Sequence, residues 1–406
     1  LMIPTFFGIT ILVFTILQIV PGGPLEQEMM RLRSAMMVGG SETQLSASGN
    51  YQTGLEIPEE SLNQLKSFYG LDKPAVVRYL IWLGVYPKIT QQKIVSINTN
   101  IPKSLVKMNY NQVLQIQDHN HYFEILDMQG NVQNEWKIKL IQREDSTAKV
   151  LLYKQKFSGI LTGDLGTSYT YSEPVWTLIK ERVHISAYFG GISFFLSYLV
   201  CIPLGIFKTI KHHSSFDLLS SIIIFIGYSI PGWILGAVLL VYFGGGSFFD
   251  VFPLGEFRSE YFEYMSFSEK VRDQLHHTIL PVIAYMVSSF AILTVLMKNS
   301  LMENLSQDYV RTAFAKGLSE KRVIFVHAVR NSLIPIATGI GGILGIWLAG
   351  SYLIERVFNI DGIGLLSYMA IIKRDYPIVM GFMVIATIIR LLGNLLSDIC
   401  YAAIDP

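Results

Sequence analysis

Apolar residues occur along the chain in six long, nearly uninterrupted runs. Each run is about 20 residues long, which is the length that an α-helix needs to cross roughly 30 Å of hydrocarbon. Such runs must be helical in a membrane, because lipid offers no partner to an unpaired backbone N–H or C=O. Pro231, beside Gly232 in the third run, predicts a kink. The pattern therefore predicts six transmembrane helices, at residues 1–20, 185–207, 218–243, 277–297, 333–354 and 377–399.

The first run is predicted to be a retained membrane span rather than a cleaved signal peptide. No basic segment precedes it, and residues 21–24 are Pro-Gly-Gly-Pro, where a small-x-small cleavage site would stand. Because the sequence opens directly on this run at Leu1, we expect a few initiating residues to precede it. Residues 1–21 are assigned to the first transmembrane helix.

The long segment between the first two runs begins with a helical segment, residues 22–86. Its first part, residues 22–57, is rich in Gly, Ser and Gln, and we expect it to be loosely ordered. One helix is predicted to open at Pro58, with apolar residues on one face, and to stop at Gly70. A second, short helix is predicted to begin at Pro74 and to run through Trp82.

The pattern changes to that of strands between residues 87 and 156. The four clearest stretches are residues 112–117, 121–127, 132–142 and 147–154, and residues 128–131 have the composition of a hairpin turn. We predict a small antiparallel β insertion here, outside the membrane. It is followed by a lead-in to the second span, residues 157–184, and by a five-helix core, residues 185–406.

Composition and charge agree with a membrane protein and indicate its orientation. Of the 406 residues, 51% are hydrophobic and only 16% are charged, which is less charge than soluble domains normally carry. Basic residues concentrate in the connections 208–217 and 298–332, whereas the loop 244–276 is acidic. The positive-inside rule places the two basic connections in the cytoplasm. Both termini are then predicted inside, and the 22–184 segment outside.

The basic connection at residues 298–335 is too long for a simple turn and predicts two short helices. Ser306 or Asp308 is expected to cap the first helix, Gly317 to end it in a left-handed conformation, and Ser319 to cap the second. One face of the first helix is partly apolar, at Val310, Ala313, Phe314 and Gly317. We expect this face to have no core of its own. It would dock a partner or lie on lipid headgroups, and the pattern favours neither.

Residues 309–322 and 327–335 closely resemble the EAA-type loop of dipeptide and oligopeptide ABC permeases. The usual leading Glu of that loop is Arg311 here and the next Ala is Thr312, whereas Ala313 and Gly317 stand at the expected spacing. Other segments resemble the same family in chain order, at residues 19–24, 68–74, 163–168 with 174–175, and 358–366 with 374–377. Residues 244–254 are similar to the Yej-type branch, which is associated with oligopeptide and microcin C uptake. The resemblance covers the chain except for about residues 87–156.

The resemblance implies a fold class and a function. It implies an all-α membrane protein with the six transmembrane helices of the type I ABC importer permease fold, here carrying a small external β insertion. Such a permease forms the translocation path in the bacterial inner membrane. In that family the EAA-type loop is the coupling helix, which sits in a groove on the ATP-binding subunit. The residues that this carries over are Tyr309, Val310, Arg311, Ala313, Phe314, Gly317 and Leu318.

The resemblance also implies partners. They are a second homologous permease subunit, two ABC ATP-binding subunits, an external solute-binding protein and a peptide substrate. Membrane lipid surrounds the spans, and nothing indicates nucleic acid. No G-x-x-x-x-G-K-[ST] sequence occurs in the chain. We therefore expect this chain to bind no cofactor and to be no enzyme, with ATP and Mg on the partner subunits.

Two groups of residues inside the spans are candidates for further roles. Gly341, Gly345 and Ala349 form a small-xxx-small stripe in the fifth span, which allows another helix of this subunit or of its partner to approach closely. Arg390 is a charge within the sixth span, and its face continues to Asn394. An intramembrane Arg faces a cavity or reaches the interface with its long side chain. Our hypothesis is that Arg390 and Asn394 line the inner half of the pathway.

Other functions stay open on the sequence alone. His119 and His121 are predicted to lie on a solvated strand rather than to bind metal, and the two cysteines, Cys201 and Cys400, form no motif. An intramembrane hydrolase would carry a G-x-S-x-G elbow or an H-E-x-x-H helix, and neither occurs. A membrane-anchored sensor or assembly protein is the alternative from another class. Within the permease class, nickel, glutathione or oligosaccharide are alternative substrates.

Overall fold

The structure is a computed structural model, and its described residues fall into two compact units. The helical unit comprises Leu1–Pro24 and Thr167–Pro406, and the β unit comprises Leu25–Gly166. The described residues are 2–30 except 21, 24 and 27, then 62, 66, 70–98, 101, 103–109, 112–118, 123–143, 147–246, 248–337 and 351–404.

The helices account for most of the described chain. In chain order they are α1 (Met2–Ile19), α2 (Ala75–Leu83), α3 (Val175–Ile210), α4 (Ser215–Ser229), α5 (Gly232–Phe243), α6 (Phe267–Leu305), α7 (Asp308–Ala315), α8 (Glu320–Arg322), a π-helix (Val323–Ala328), α9 (Val329–Ser332), α10 (Tyr352–Val357), α11 (Ile363–Ile372) and α12 (Tyr376–Ile404). Helix α2 belongs to the β unit and the others belong to the helical unit.

Among the described residues, three helices are each long and apolar enough to cross a membrane, namely α1, α3 and α12. Two bent helix pairs are also long and apolar enough, which gives up to five crossings if each pair is one span: α4 and α5 meet at 94°, and α6 bends by 52° between Val287 and Ser289. The kink predicted at Pro231 is confirmed as the break between α4 and α5, since proline has no N–H to continue the helix. Most of the fifth predicted span, with Gly341, Gly345 and Ala349, lies outside the described residues.

Two of the spanning helices extend well beyond the apolar runs that predicted them. Helix α3 begins at Val175, ten residues before the predicted start, with Pro174 at its N-cap position. Helix α6 begins at Phe267, where Ser266 and Glu269 form a capping box and the Ser266 N–H donates to the Glu269 carboxylate at 2.9 Å. Such caps stabilise polar helix ends that hydropathy does not detect.

Helices α3 and α6 form the centre of the helical unit. They approach so closely at Gly205 that a Cβ there would lie 2.6 Å from the Met297 Cβ. One apolar cluster lies beside this contact, with Met297 and Leu301 fully buried. A second lies towards the other ends of the two helices, around Phe189 and Phe358. These clusters hold the short helices at the two ends of α3 and α6.

The β unit contains two antiparallel three-stranded sheets. Their orders are β1-β6-β5 and β2-β3-β4. The strands are β1 (Lys88–Asn98), β2 (Ser104–Asn109), β3 (Gln112–Asp118), β4 (Phe123–Leu126), β5 (Trp136–Arg143) and β6 (Thr147–Lys156). Alternate residues of β6, Ala148, Val150 and Leu152, are completely buried in a shared core with Leu114 and Ile116, as expected for strands with one inward face.

Some details of the β unit differ from the sequence analysis. Strand β5 begins at Trp136 rather than near residue 132, because Asp127 accepts the N–H groups of Gln129 and Asn131 at 2.8 Å each and extends the turn. Helix α2 follows Pro74 as predicted and ends at Gly84, which has a φ of 94°. The helix predicted from Pro58 to Gly70 lies mostly outside the described residues, as do His119 and His121.

Candidate functional site

The N-terminus of α7 is capped differently from the prediction. Helix α7 begins at Asp308, and Gln307 occupies the N-cap position without a side-chain capping bond. The expectation that Ser306 or Asp308 caps it is wrong. The Ser306 hydroxyl instead donates to the Glu303 carbonyl at 2.7 Å, at the end of α6. Asp308 still favours the helix as an acidic residue in its first turn.

The C-terminus of α7 closes on Gly317, as predicted. Gly317 has a φ of 77°, in the left-handed region. Its N–H donates to the Phe314 carbonyl at 2.9 Å, and the Leu318 N–H donates to the Ala313 carbonyl at 3.3 Å. This pair of bonds is a Schellman motif, which fixes the direction of the chain after the helix. Ser319 then occupies the N-cap position of α8.

The apolar residues of α7 divide into two faces with different roles. Val310 and Ala313 are only 1% and 8% exposed, because they belong to a buried apolar cluster that also contains Ile206 of α3, Met297 and Leu301 of α6, and Val323 and Ala328 of the π-helix. This corrects the expectation that the face has no core of its own. Leu318 packs on the same cluster from its edge. These residues fix α7 to the helical unit and are not available to a partner.

The outer face of α7, defined here as Tyr309, Arg311 and Phe314, remains in contact with solvent. Tyr309 and Phe314 are 38% and 46% exposed. The Tyr309 hydroxyl donates to Asn304 at 2.8 Å, which orients the ring. Arg311 lies 3.7 Å from Asp308, but both side chains are exposed, so this ion pair contributes little. The outer face therefore presents two aromatic rings and one cation.

The segment after Ser319 contains a π-helix that the sequence analysis missed. The π-helix Val323–Ala328 buries Val323 and Ala328, five residues apart, against the same cluster as α7. It leaves Phe325 and Val326 about half exposed. The wider π turn is uncommon and often occurs at functional positions. Residues 323–326 are all apolar, so the sequence alone does not single out the spacing of five between Val323 and Ala328.

A buried carboxyl group organises the segment after the fifth predicted span. Glu355 of α10 is 1% exposed. The Ser186 hydroxyl donates to one of its oxygens at 2.8 Å, and the Leu365 N–H, in the first turn of α11, donates to the other at 2.6 Å. Burial raises the pKa of Glu355 to about 7, and the Leu365 and Ser186 bonds oppose this shift. Glu355 thus joins α10, α11 and α3.

A second buried carboxyl group lies just before α12. Asp375 is 1% exposed, and one of its oxygens accepts the Ser168 hydroxyl at 2.6 Å and the Thr170 N–H at 2.9 Å. It fixes the lead-in to α3 against the start of α12. Asp375 lies within the motif 374–377, and Glu355 lies three residues before the motif 358–366, but neither motif predicted a buried carboxyl group.

The structure does not bring Arg390 and Asn394 into these networks. Both lie on α12, one turn apart, and both are exposed on the surface of this chain. Their role in the pathway stays a prediction. Cys201 and Cys400 are free thiols. Within the described residues, no group of three or more His, Cys, Asp or Glu side chains could hold a metal ion.

These features define a class of protein: a multi-pass membrane protein with a short amphipathic helix fixed to the ends of two spanning helices. Comparison with known families makes the class specific. The family described as "Binding-protein-dependent transport system inner membrane component" matches residues 201–406. The chain belongs to this family.

Full-length relatives support the assignment. The chain is 32% identical over 419 residues to the peptidoglycan transport system permease protein YejB of Agrobacterium fabrum, covering 100% of this chain and 95% of that protein. It is likewise 32% identical to the inner membrane ABC transporter permease protein YejB of Escherichia coli O157:H7, with the same coverage. The resemblance to this permease family and its Yej-type branch is confirmed.

Shorter permeases match only part of the chain. The oligopeptide transport system permease protein AppB of Bacillus subtilis is 32% identical over 255 residues, which are 63% of this chain and 78% of that protein. A chain of the MetNI methionine ABC transporter, in an inward-facing conformation, gives a TM-score of 0.42 at 14% identity, over 56% of this chain and 99% of that chain. That likeness is too weak to support a conclusion.

Proposed function

We propose that this chain is the permease subunit of an ATP-driven importer of peptides. It forms one wall of the translocation path and carries the coupling element, α7 with its Schellman turn. The observation that carries the proposal is the division of α7 into two faces. Val310 and Ala313 fix the helix to α3 and α6, whereas the outer face remains available to a partner.

The proposed substrates are oligopeptides, dipeptides or microcin C-like peptides. The names of the relatives support this choice, since they are permeases of peptidoglycan, oligopeptide and dipeptide transport systems. Nickel, glutathione or oligosaccharide import by the same permease fold is the alternative within the class. This chain supplies path walls and performs no bond-breaking chemistry in either case.

The proposed assembly contains a second homologous permease, two ATP-binding subunits that hold ATP and Mg, and an external solute-binding protein. The proposed topology is that of a type I importer permease with six spans in the bacterial inner membrane. Both termini and the 298–332 loop would face the cytoplasm, and residues 22–184, including the β insertion, the periplasm. The charge distribution supports this orientation.

The proposed mechanism is alternating access. Closure of the ATP-binding subunits on ATP moves the grooves that hold the outer face of α7. Because Val310 and Ala313 are packed on α3 and α6, α7 moves together with the ends of these helices. The spans then open outward and accept peptide from the binding protein. Rigid displacement of packed elements is a common form of such transitions.

The decisive experiment purifies the assembled complex from native membranes and measures ATPase activity and ATP-driven peptide uptake. Phe314→Ala should weaken docking of the ATP-binding subunits by about 30-fold, since an aromatic anchor at an interface is worth about 2 kcal/mol. Phe225→Ala is the matched control, because this side chain is 55% exposed on α4, away from α7. It should leave uptake unchanged.

Two outcomes would contradict the proposal. A chain that purifies without P-loop subunits under gentle extraction would favour the sensor or assembly protein. Equal docking and uptake in the Phe314→Ala and Phe225→Ala complexes would show that the outer face of α7 is not the coupling surface.

A further inference from the structure

Three charged side chains from three helices meet in a buried cluster near the coupling loop. Lys208 of α3 is 1% exposed and Asp217 of α4 is 7% exposed. The Lys208 ammonium lies 3.0 Å from the Asp217 carboxylate, and the Lys298 ammonium of α6 donates to both carboxylate oxygens at 2.8 Å. Lys208, Asp217 and Lys298 are called the ionic cluster below.

The remaining polar groups around the ionic cluster are also satisfied. The Lys208 ammonium donates to the Ser220 and Ser221 hydroxyls at 2.8 Å each and to the Asp217 backbone carbonyl at 2.9 Å. His212 approaches the Asp217 carboxylate at 3.2 Å. A buried pair with such geometry resists separation, because either partner would be left as an unpaired charge.

The ionic cluster attaches α4 to α3 and α6 through charged side chains. Asp217 and Ile224 are the only residues of this 15-residue helix that are buried. Its other large apolar side chains point outward, among them Leu218 at 64% and Ile223 at 70% exposure. In lipid, outward apolar residues give helices little reason to associate, so polar contacts carry more of the attachment.

The same ends of α3 and α6 also carry the coupling loop. Ile206 and Met297, which lie two residues and one residue before the two lysines, belong to the same buried apolar cluster as Val310 and Ala313. The Thr209 hydroxyl donates to the Lys298 carbonyl at 3.2 Å and ties α3 to α6 at this level. The ends of the two helices thus hold α7 by apolar packing and α4 by charge.

We propose that the ionic cluster transmits the displacement of α7 to α4 and, through the 94° break at Pro231, to the whole bent third span. Lys208, Asp217 and Lys298 are then positioning residues for transport. The inference rests on the proposed function and deepens it, because it names how one span follows the coupling loop. A charge cluster suits this task, since apolar contacts between helices can slide whereas paired buried charges cannot separate cheaply.

The test compares wild-type, Lys298→Met, Asp217→Asn and Asp217→Glu complexes reconstituted in lipid, and measures peptide uptake per ATP hydrolysed. Lys298→Met removes the link to α6 but leaves Asp217 paired with Lys208, so the complex should assemble. Its basal ATPase should stay within about twofold of wild type, and its uptake per ATP should fall about tenfold, the range of a typical coupling energy. Uptake per ATP should fall by a similar factor in the Asp217→Asn complex. In the Asp217→Glu complex, which keeps a carboxylate, uptake per ATP should return to most of the wild-type value.

A purely structural role would lower the amount of complex and leave uptake per ATP unchanged. That result, or loss of assembly in both Lys298→Met and Asp217→Asn, would overturn the inference. A second readout is the distance between spin labels at Ile223 of α4 and Ile292 of α6, both exposed. It should stay nearly constant on ATP binding in wild type, where α4 follows α6, and should change in Lys298→Met. If wild type shows no ATP-driven uptake, the proposed function itself fails, whatever the variants do.

Discussion

The buried Glu355 makes the stability of the permease depend on pH. Its ordinary pKa is 4.5 and burial raises the folded value to about 7. Each pH unit between these values corresponds to about 1.4 kcal/mol, so ionised Glu355 costs the folded state about 3 kcal/mol relative to the protonated form. Because the folded pKa is raised, this contribution to stability is fully present below pH 4.5 and is lost as the pH rises through about 7.

The assay is thermal unfolding of the purified complex at a series of pH values from 5 to 8. A loss of about 3 kcal/mol should lower the wild-type Tm by about 3–4 °C across this range, because the unfolding entropy of a chain of 406 residues is large. Glu355→Gln cannot ionise, so its Tm should vary much less, although its amide cannot accept all the bonds of the carboxylate. Glu260→Gln, at an exposed position, is the matched control and should keep the wild-type profile. A wild-type Tm that rises from pH 5 to 8, or identical profiles for wild type and Glu355→Gln, would refute the reasoning.

Three further substitutions follow from the geometry. Gly317→Pro should abolish uptake, because Pro cannot adopt a φ of 77° and lacks the N–H that bonds Phe314; Gly317→Asn, which tolerates this conformation, should retain uptake in the same assay. Gly205→Val should lower the yield of monodisperse complex in size-exclusion chromatography, since its Cβ would lie 2.6 Å from the Met297 Cβ; a normal yield would contradict the close approach. Leu152→Ala should destabilise the β unit by about 2–5 kcal/mol and speed its proteolysis, whereas the exposed Leu140→Ala should not.

The sequence predicted the positions of the spanning helices better than their ends. Apolar runs of sufficient length located α1, α3, α6 and α12, because burial in lipid is decided by composition over many residues. Their ends depend on local caps such as Ser266 with Glu269, which hydropathy does not register. The break at Pro231 was predictable from the missing N–H, but its 94° angle depends on packing against other helices.

The position of the candidate site was predictable from the sequence. The division of α7 into a buried face and an exposed face was not. Helical spacing placed Val310, Ala313 and Phe314 near one another but could not show that the first two pack on α6. Lys208 and Lys298 were counted as basic residues of cytoplasmic connections. Lys298 lies 81 residues from Asp217, so the ionic cluster depends on the close approach of α6 to the consecutive helices α3 and α4. Hydrophobic periodicity describes one helix at a time and contains no information on contacts between side chains of different helices.

The π-helix Val323–Ala328 determines where this loop can change in length. A π turn holds one residue more than an α turn, so deletion of a single residue here would restore α-helical winding. Later residues would then keep nearly their present direction around the helix axis, because a π turn accommodates its extra residue within that turn. Ser332 and Ile336, both buried, would stay in the core. A deletion within α9, Val329–Ser332, would instead rotate Ile336 by about 100° around the axis and turn it away from its apolar cluster. The π-helix is therefore the position in this segment at which the loss of one residue would least disturb the helices on either side.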